Sequence, residues 1–351
     1  MKINRIELFA FSYTDKCNIK CAHCIAGSSP EKHKKLDLER LLLFVKQLKE
    51  FNIKSFEITG GEALVFFDEV IELLSVGKQA GVSSSVISNG SWGFSEENAE
   101  RVVSKLTDAG LKDLFISSDE FHLEFVPAKS VFNIVDAVMK RKEPIKVFLR
   151  FCESKNYSFL DFLTENAGYF KNLKKKYPKK DLRVLTQFLA PLGRAFKKVP
   201  KENYVIKAKL AENPCNLVKR PFLNADGNIF CCCNGPKLNN PLTAPYFLGN
   251  FYSDSPAEFI KNYEESLFVF YLRTKSPVFI EKLARKHNLT KMNALRRLTG
   301  NYTGMCDFCV LNLGQYSKQD LDNLLLHEFS KDKAMQKLAV KESLKFQKNK
   351  N

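Results

Sequence analysis

The chain predicts an α/β protein: six strand-and-helix units making a parallel sheet curled as a partial or complete barrel, then a small cysteine-rich domain and C-terminal helices. Three observations predict it. Short β-rich runs alternate with amphipathic segments over the first 195 residues. Three successive runs begin at residues 55, 84 and 113, a spacing of 29 that accommodates a strand, a helix and two turns. The regularity stops after PLGRA (191–195), beyond which Cys, Gly, Pro and Asn accumulate.

In order, the expected strands are RIELFAFSYT (5–14), SFEITGG (55–61), SSVISNG (84–90), DLFISSD (113–119), IKVFLRF (145–151) and LRVLTQFLA (182–190). Segments such as LDLERLLLFVKQLKEF and SEENAERVVSKLTDAG carry apolar residues at helical spacing between them. Ligands of such sheets sit at the C-terminal strand ends, where GGE, SNG and SSD fall. The lysine-rich connector KKVPKENYVIKAK sets a boundary near residue 200, giving domains 1–200, 201–315 and 316–351. In the second, DGNIF reads as a hairpin turning at Gly227, and SPAE (255–258) as a capping box starting helices that run to about residue 298. The aromatics of SLFVFYLRTKSPVFIEKLARKH suit a buried stripe. From 317 onward a polar helix is expected, fraying at KNKN.

With 351 residues, 44% of them hydrophobic, the chain can bury a substantial core. The N-terminus has only a four-residue apolar run before Ser12, and no stretch approaches the roughly 20 apolar residues of a membrane span. This places the protein in the cytoplasm, where ten cysteines are better read as metal ligands or reactive groups than as disulfides. The net charge of +16 comes from 43 Lys and only 12 Arg spread along the chain, a solvated surface rather than a nucleic-acid footprint.

In CNIKCAHC the thiols Cys17, Cys21 and Cys24 follow the first strand directly. Structural zinc takes four ligands, and this run offers three, with His23 a poor fourth between two cysteines. Three thiolates from one loop suit a [4Fe-4S] cluster with one iron left open. This loop, GGE after the second strand and six β/α units resemble the radical S-adenosylmethionine (SAM) superfamily over about residues 5–195. The resemblance implies a TIM-like partial barrel whose open iron chelates SAM and whose cluster cleaves it to a 5′-deoxyadenosyl radical. It further implies that Gly60, Gly61 and Glu62 meet the SAM amino group, with Ser88 and Asn89 lining the same mouth. Ser117 and Asp119 match the ribose-binding Ser-x-Asp, and Arg150 would pair with the carboxylate. Turn chemistry is the competing use of Ser88 and Asn89, a structural ion pair that of Arg150, and a hydrogen-bonded structural role that of His122.

Cys215, the triplet Cys231, Cys232 and Cys233, and the pair Cys306 and Cys309 lie after the boundary. Their order resembles the twitch extension, a reduced relative of the SPASM domain, which implies one auxiliary [4Fe-4S] cluster on Cys215, Cys232, Cys306 and Cys309. Zinc is the alternative occupant. Were the strand to continue, Cys231 and Cys233 would point opposite to Cys232. Cys152 reads as a small buried hydrophobe.

Such enzymes often modify ribosomally made peptides. The spare thiols suggest L-to-D epimerisation, with Cys233 returning hydrogen to a Cα radical and Cys231 in reserve. Rival readings are an oxidative maturase forming thioether or carbon-carbon links, RNA modification, and a non-catalytic iron-sulfur or zinc scaffold. Expected partners are a peptide, with an acidic leader suited to the lysine-rich surface, and a reductant such as flavodoxin or ferredoxin; neither membrane nor nucleic acid is expected. Because the barrel begins within a few residues of Met1, no leader-binding domain is expected ahead of it.

Overall fold

The computed structural model describes residues 1–207, 209–233, 235, 242–291 and 302–348. They form two compact units, one of Phe11–Glu50 and Lys54–Val205, the other of Met1–Ala10, Phe51–Ile53 and Ile206–Asn351.

The first unit is the expected α/β fold. Its strands are β1 (Phe9–Ser12, entering from the other unit), β2 (Ser55–Thr59), β3 (Ser83–Ser88), β4 (Leu111–Ser117), β5 (Lys146–Glu153) and β6 (Arg183–Phe188). They lie in sequential order, and β2 to β6 are parallel, so the chain crosses over between successive strands. Helices Leu38–Gln47, Phe67–Gln79, Glu96–Asp108 and Ala128–Lys140 fill the connections. Asp37 and Ser95 start two of these by accepting the N–H of the third helical residue, Arg40 and Asn98. Phe11 stacks on Phe56 at 5.7 Å, and Val86, Leu114, Ile116 and Leu149 are fully buried. Each such side chain contributes about 1.5–3 kcal/mol by leaving water.

The second unit contains an antiparallel meander of β7 (Phe222–Leu223), β8 (Asn228–Phe230) and β9 (Phe247–Asn250). Gly227 makes the β7–β8 turn at φ +83°, and a Cβ there would strike the Tyr252 ring. The N-terminal residues join this unit because their N–H groups find acceptors in it: Ile3 on Glu264 at 2.8 Å, Glu7 on Lys219 at 3.1 Å and Ala10 on Pro221 at 2.9 Å. Ser255 and Glu258 form the expected capping box of helix Pro256–Glu264. Helix Leu267–Thr274 buries Phe268 to Leu272 without a break, so its aromatics are core.

Two expectations change. The triplet does not continue β8, which ends at Phe230; the chain bends, burying Cys231 and Cys232 and exposing Cys233. The final polar helix is two helices, Lys318–Lys331 and Lys333–Lys348, divided at Asp332, whose carboxylate accepts the N–H groups of Ala334 and Met335. The expected helix end near 298 and residues 349–351 lie outside the described residues. No described helix is long and apolar enough to cross a membrane.

Candidate active site

A cavity of about 210 Å³ opens at the C-terminal ends of the parallel strands. The loop after β1 brings Cys17, Cys21 and Cys24 to its wall. The loop closes on itself, Cys24 N–H donating to Cys21 O at 3.2 Å and Cys17 N–H to Ser29 O at 3.1 Å.

Gly60 and Gly61, just past β2, line the same cavity. Their smallness is already required by the cysteine loop. A Cβ on Gly60 would lie 2.6 Å from Thr14 O and one on Gly61 2.1 Å from Lys16 O, while the N–H groups of Gly61 and Glu62 donate to those two carbonyls. Glu62 is not among the residues that line the cavity and is only 2% exposed. Its carboxylate accepts from the N–H groups of Leu64 and Asn89 and from Ser88 Oγ. Burial raises its pKa, which those hydrogen bonds partly offset. Glu62 therefore ties β2 to the end of β3.

Ser88 and Asn89 line the cavity and also make the turn after β3. Ser88 Oγ accepts from Gly90 N–H and Trp92 Nε1, and Asn89 Nδ2 donates to Asn18 Oδ1 at 2.8 Å and approaches Cys17 Sγ at 3.8 Å. Asn89 thus ties the β3 turn to the cysteine loop.

Ser117, Asp119, His122 and Arg150 line the opposite side. Asp119 starts the short helix Glu120–Leu123, accepts from His122 Nδ1 at 2.9 Å and from Cys152 N–H at 3.3 Å, and stands 3.7 Å from His23 Nε2. Burial opposes its charge, yet the two histidines and the Cys152 N–H hold its pKa below the ordinary value. His23 stacks on Phe121 at 4.6 Å and burial lowers its pKa to about 4, so it is neutral at pH 7. His122 lines the cavity and is at the same time hydrogen-bonded to Asp119.

The three thiols fit an iron-sulfur cluster by their own chemistry. Burial pushes Cys17 up to about 11, and neighbouring Glu62 and Cys24 add to it; burial pushes Cys21 up further, with Asp119 and the other two thiols adding. Iron would bind these thiols as thiolates, displacing the protons that burial makes them hold. The model of the radical SAM superfamily matches residues 11–159, from β1 and this loop to beyond β5.

This chain carries a radical SAM domain.

The family implies a [4Fe-4S] cluster and SAM, and the cysteine loop offers three thiols at the mouth of the cavity. YydG of Bacillus subtilis (strain 168), whose name assigns it provisionally to peptide biosynthesis, is 25% identical over 279 residues, 78% of this chain and 82% of its own. A GTP 3′,8-cyclase of Listeria monocytogenes serotype 4b (strain CLIP80459) is 26% identical over 277 residues, 66% of this chain and 80% of its own. The crystal structure of Streptococcus suis SuiB bound to precursor peptide SuiA matches 78% of this chain and 67% of its own with a TM-score of 0.46 and 12% identity.

Three residues of the radical SAM site escaped the sequence reading. Cys152 and Gln187 face the cavity, and Arg194 clamps its wall. The Arg194 guanidinium donates to Cys21 O at 2.8 Å and to Ser28 O, while its N–H donates to Cys24 O at 3.0 Å. Gly193 precedes it at φ +60°, with Ile25 O 2.2 Å from where a Cβ would stand. The signal was the position of PLGRA, a loop after a barrel strand like GGE, SNG and SSD.

In the second unit the thiols of Cys215, Cys232, Cys306 and Cys309 lie close enough to influence one another's ionisation. Burial pushes the Cys309 thiol well up, reinforced by Cys306, Cys215 and Cys232. Burial pushes Cys215 to about 11, reinforced by Cys232 and Cys233. Tyr246 hydrogen-bonds Cys309, and its carbonyl accepts the Cys231 N–H at 2.8 Å.

Proposed function

We propose that this radical SAM enzyme modifies a ribosomally made peptide, and that the modification is L-to-D epimerisation. The peptide class is supported by the likeness to YydG along most of both chains. Residues 201–315 serve as a twitch/SPASM-like domain whose Cys215, Cys232, Cys306 and Cys309 hold an auxiliary [4Fe-4S] cluster, and 316–351 close the chain as C-terminal helices. When bound, the first cluster and SAM supply the 5′-deoxyadenosyl radical that removes a hydrogen atom.

The chain's own residues position that chemistry. Cys17, Cys21 and Cys24 ligate iron; the backbone at Gly60 and Gly61, with Ser88, Asn89 and Arg150, receives the amino-acid part of SAM; Ser117 and Asp119 receive the ribose. Glu62 acts by holding β2 and β3 together. Cys233 is the better hydrogen donor of the spare pair, being exposed where Cys231 is 0% exposed. Its S–H bond breaks as the substrate Cα–H bond forms, and the sulfur radical takes one electron and one proton from a reductant of the flavodoxin or ferredoxin kind.

The observation that carries the reading is the cysteine distribution: three thiols in one cavity, four gathered elsewhere, and an exposed cysteine beside the four. The anaerobically reconstituted protein is expected to hold about eight irons, and about four after the four gathered cysteines become Ala. Candidate peptides incubated in D₂O with SAM and reductant are expected to gain about one mass unit per converted centre, because a thiol hydrogen exchanges with solvent. Cys233→Ala is expected to retain SAM cleavage and lose the D-product. A loss of about two mass units would instead assign oxidative cross-linking.

A further inference from the structure

Strand β6 ends the parallel sheet, and among the described residues no strand pairs with its outer side. Five of its six residues are exposed and one is half-buried; Leu185 keeps 47% of its surface in water. Beyond Arg183 at its first position, the strand has no Pro, bulge or charge to discourage pairing, the usual defences of a natural edge. Leu189 N–H donates inward to Glu153 O at 2.8 Å, so the two-residue alternation turns the N–H groups of Val184 and Thr186 outward.

The two faces of this edge lead to different places. Gln187 borders the SAM cavity, whereas Val184 borders a groove of about 270 Å³ lined by Phe159, Leu163 and Phe170. The approach is basic: between residues 171 and 183 stand six lysines and Arg183 against one acid, Asp181, and Lys174 and Lys180 border the groove.

We infer that β6 is a docking edge for an extended acidic peptide, which adds as a seventh strand and presents alternate side chains to the cavity and to the groove. The identity of the occupant rests on the peptide reading above; the edge, the groove and the charge do not. Backbone pairing would hold the chain whatever its sequence, the lysines would favour an acidic one, and the register would decide which residue meets the cavity.

The test uses the reconstituted full chain and a fluorescein-labelled peptide of about ten alternating Glu and Val residues, long enough to span β6. A second peptide carries N-methyl groups at alternate residues, removing donors on one edge. Fluorescence anisotropy is expected to detect binding that weakens about tenfold or more on N-methylation and in Thr186→Pro, and that falls as salt rises. Circular dichroism and iron content verify that Thr186→Pro folds, and the N-methylated peptide tests the wild type without any substitution. Equal affinity for both peptides, no binding of either, or β6 amides protected from hydrogen exchange by self-association without peptide would overturn the inference. SAM cleavage to 5′-deoxyadenosine, read in the same samples, keeps the two readings apart: cleavage without peptide binding sinks only the docking edge, and binding without cleavage sinks only the enzyme reading.

Discussion

The spacing of Cys17, Cys21 and Cys24 was enough to propose Cys17 as a ligand, but not to say how its thiol behaves without iron. Burial above all, with Glu62 and Cys24 nearby, raises its pKa to about 11 against an ordinary value of 9. The sign follows from linkage. The folded, iron-free chain keeps this proton where the unfolded chain has lost it, so the stability is complete below about pH 9 and falls as pH rises toward 11. Urea unfolding of the iron-free protein is expected to lose midpoint across that window, and less steeply in Cys17→Ser. Glu62 teaches a related lesson. A carboxylate in GGE suggests a partner for a cationic ligand, whereas the fold commits its oxygens to Leu64, Ser88 and Asn89.

At the scale of elements, the cysteine loop has no regular structure of its own, and its shape comes from two neighbours. The turn after β2 presses glycines against Thr14 and Lys16, and the segment after β6 grips Cys21, Cys24 and Ser28 through Arg194. Arg194→Gln keeps a polar side chain but loses the charged fork, and is expected to cost about 1.5–3 kcal/mol in the iron-free protein. The loosened loop should also release iron faster to a chelator, followed by the bleaching of cluster absorbance; unchanged release would make the clamp irrelevant to the ligands. Helix Leu267–Thr274 is tested differently. Phe268→Ala opens a fully buried site and is expected to cost about 3–5 kcal/mol by urea unfolding.

For the molecule as a whole, the proposed ligands come from one loop, residues 17–24, and from cysteines spread between 215 and 309, so iron loading is expected to stabilise the fold. Calorimetry is expected to give a lower Tm after anaerobic iron removal, and Cys21→Ala should shrink that difference. The alternation of strands and helices, the order of the parallel sheet and the three-cysteine loop were determined by the sequence itself, because side-chain periodicity, turn residues and ligand spacing are local properties. The membership of residues 1–10 in the second unit, the burial of Glu62, the Arg194 clamp and the bend that separates Cys231 from Cys233 were decided only by the tertiary structure. Each of these depends on which distant backbone group or thiol comes within reach, and the contacts that bring them there join residues as far apart as Asn4 and Ser266, 262 positions along the chain.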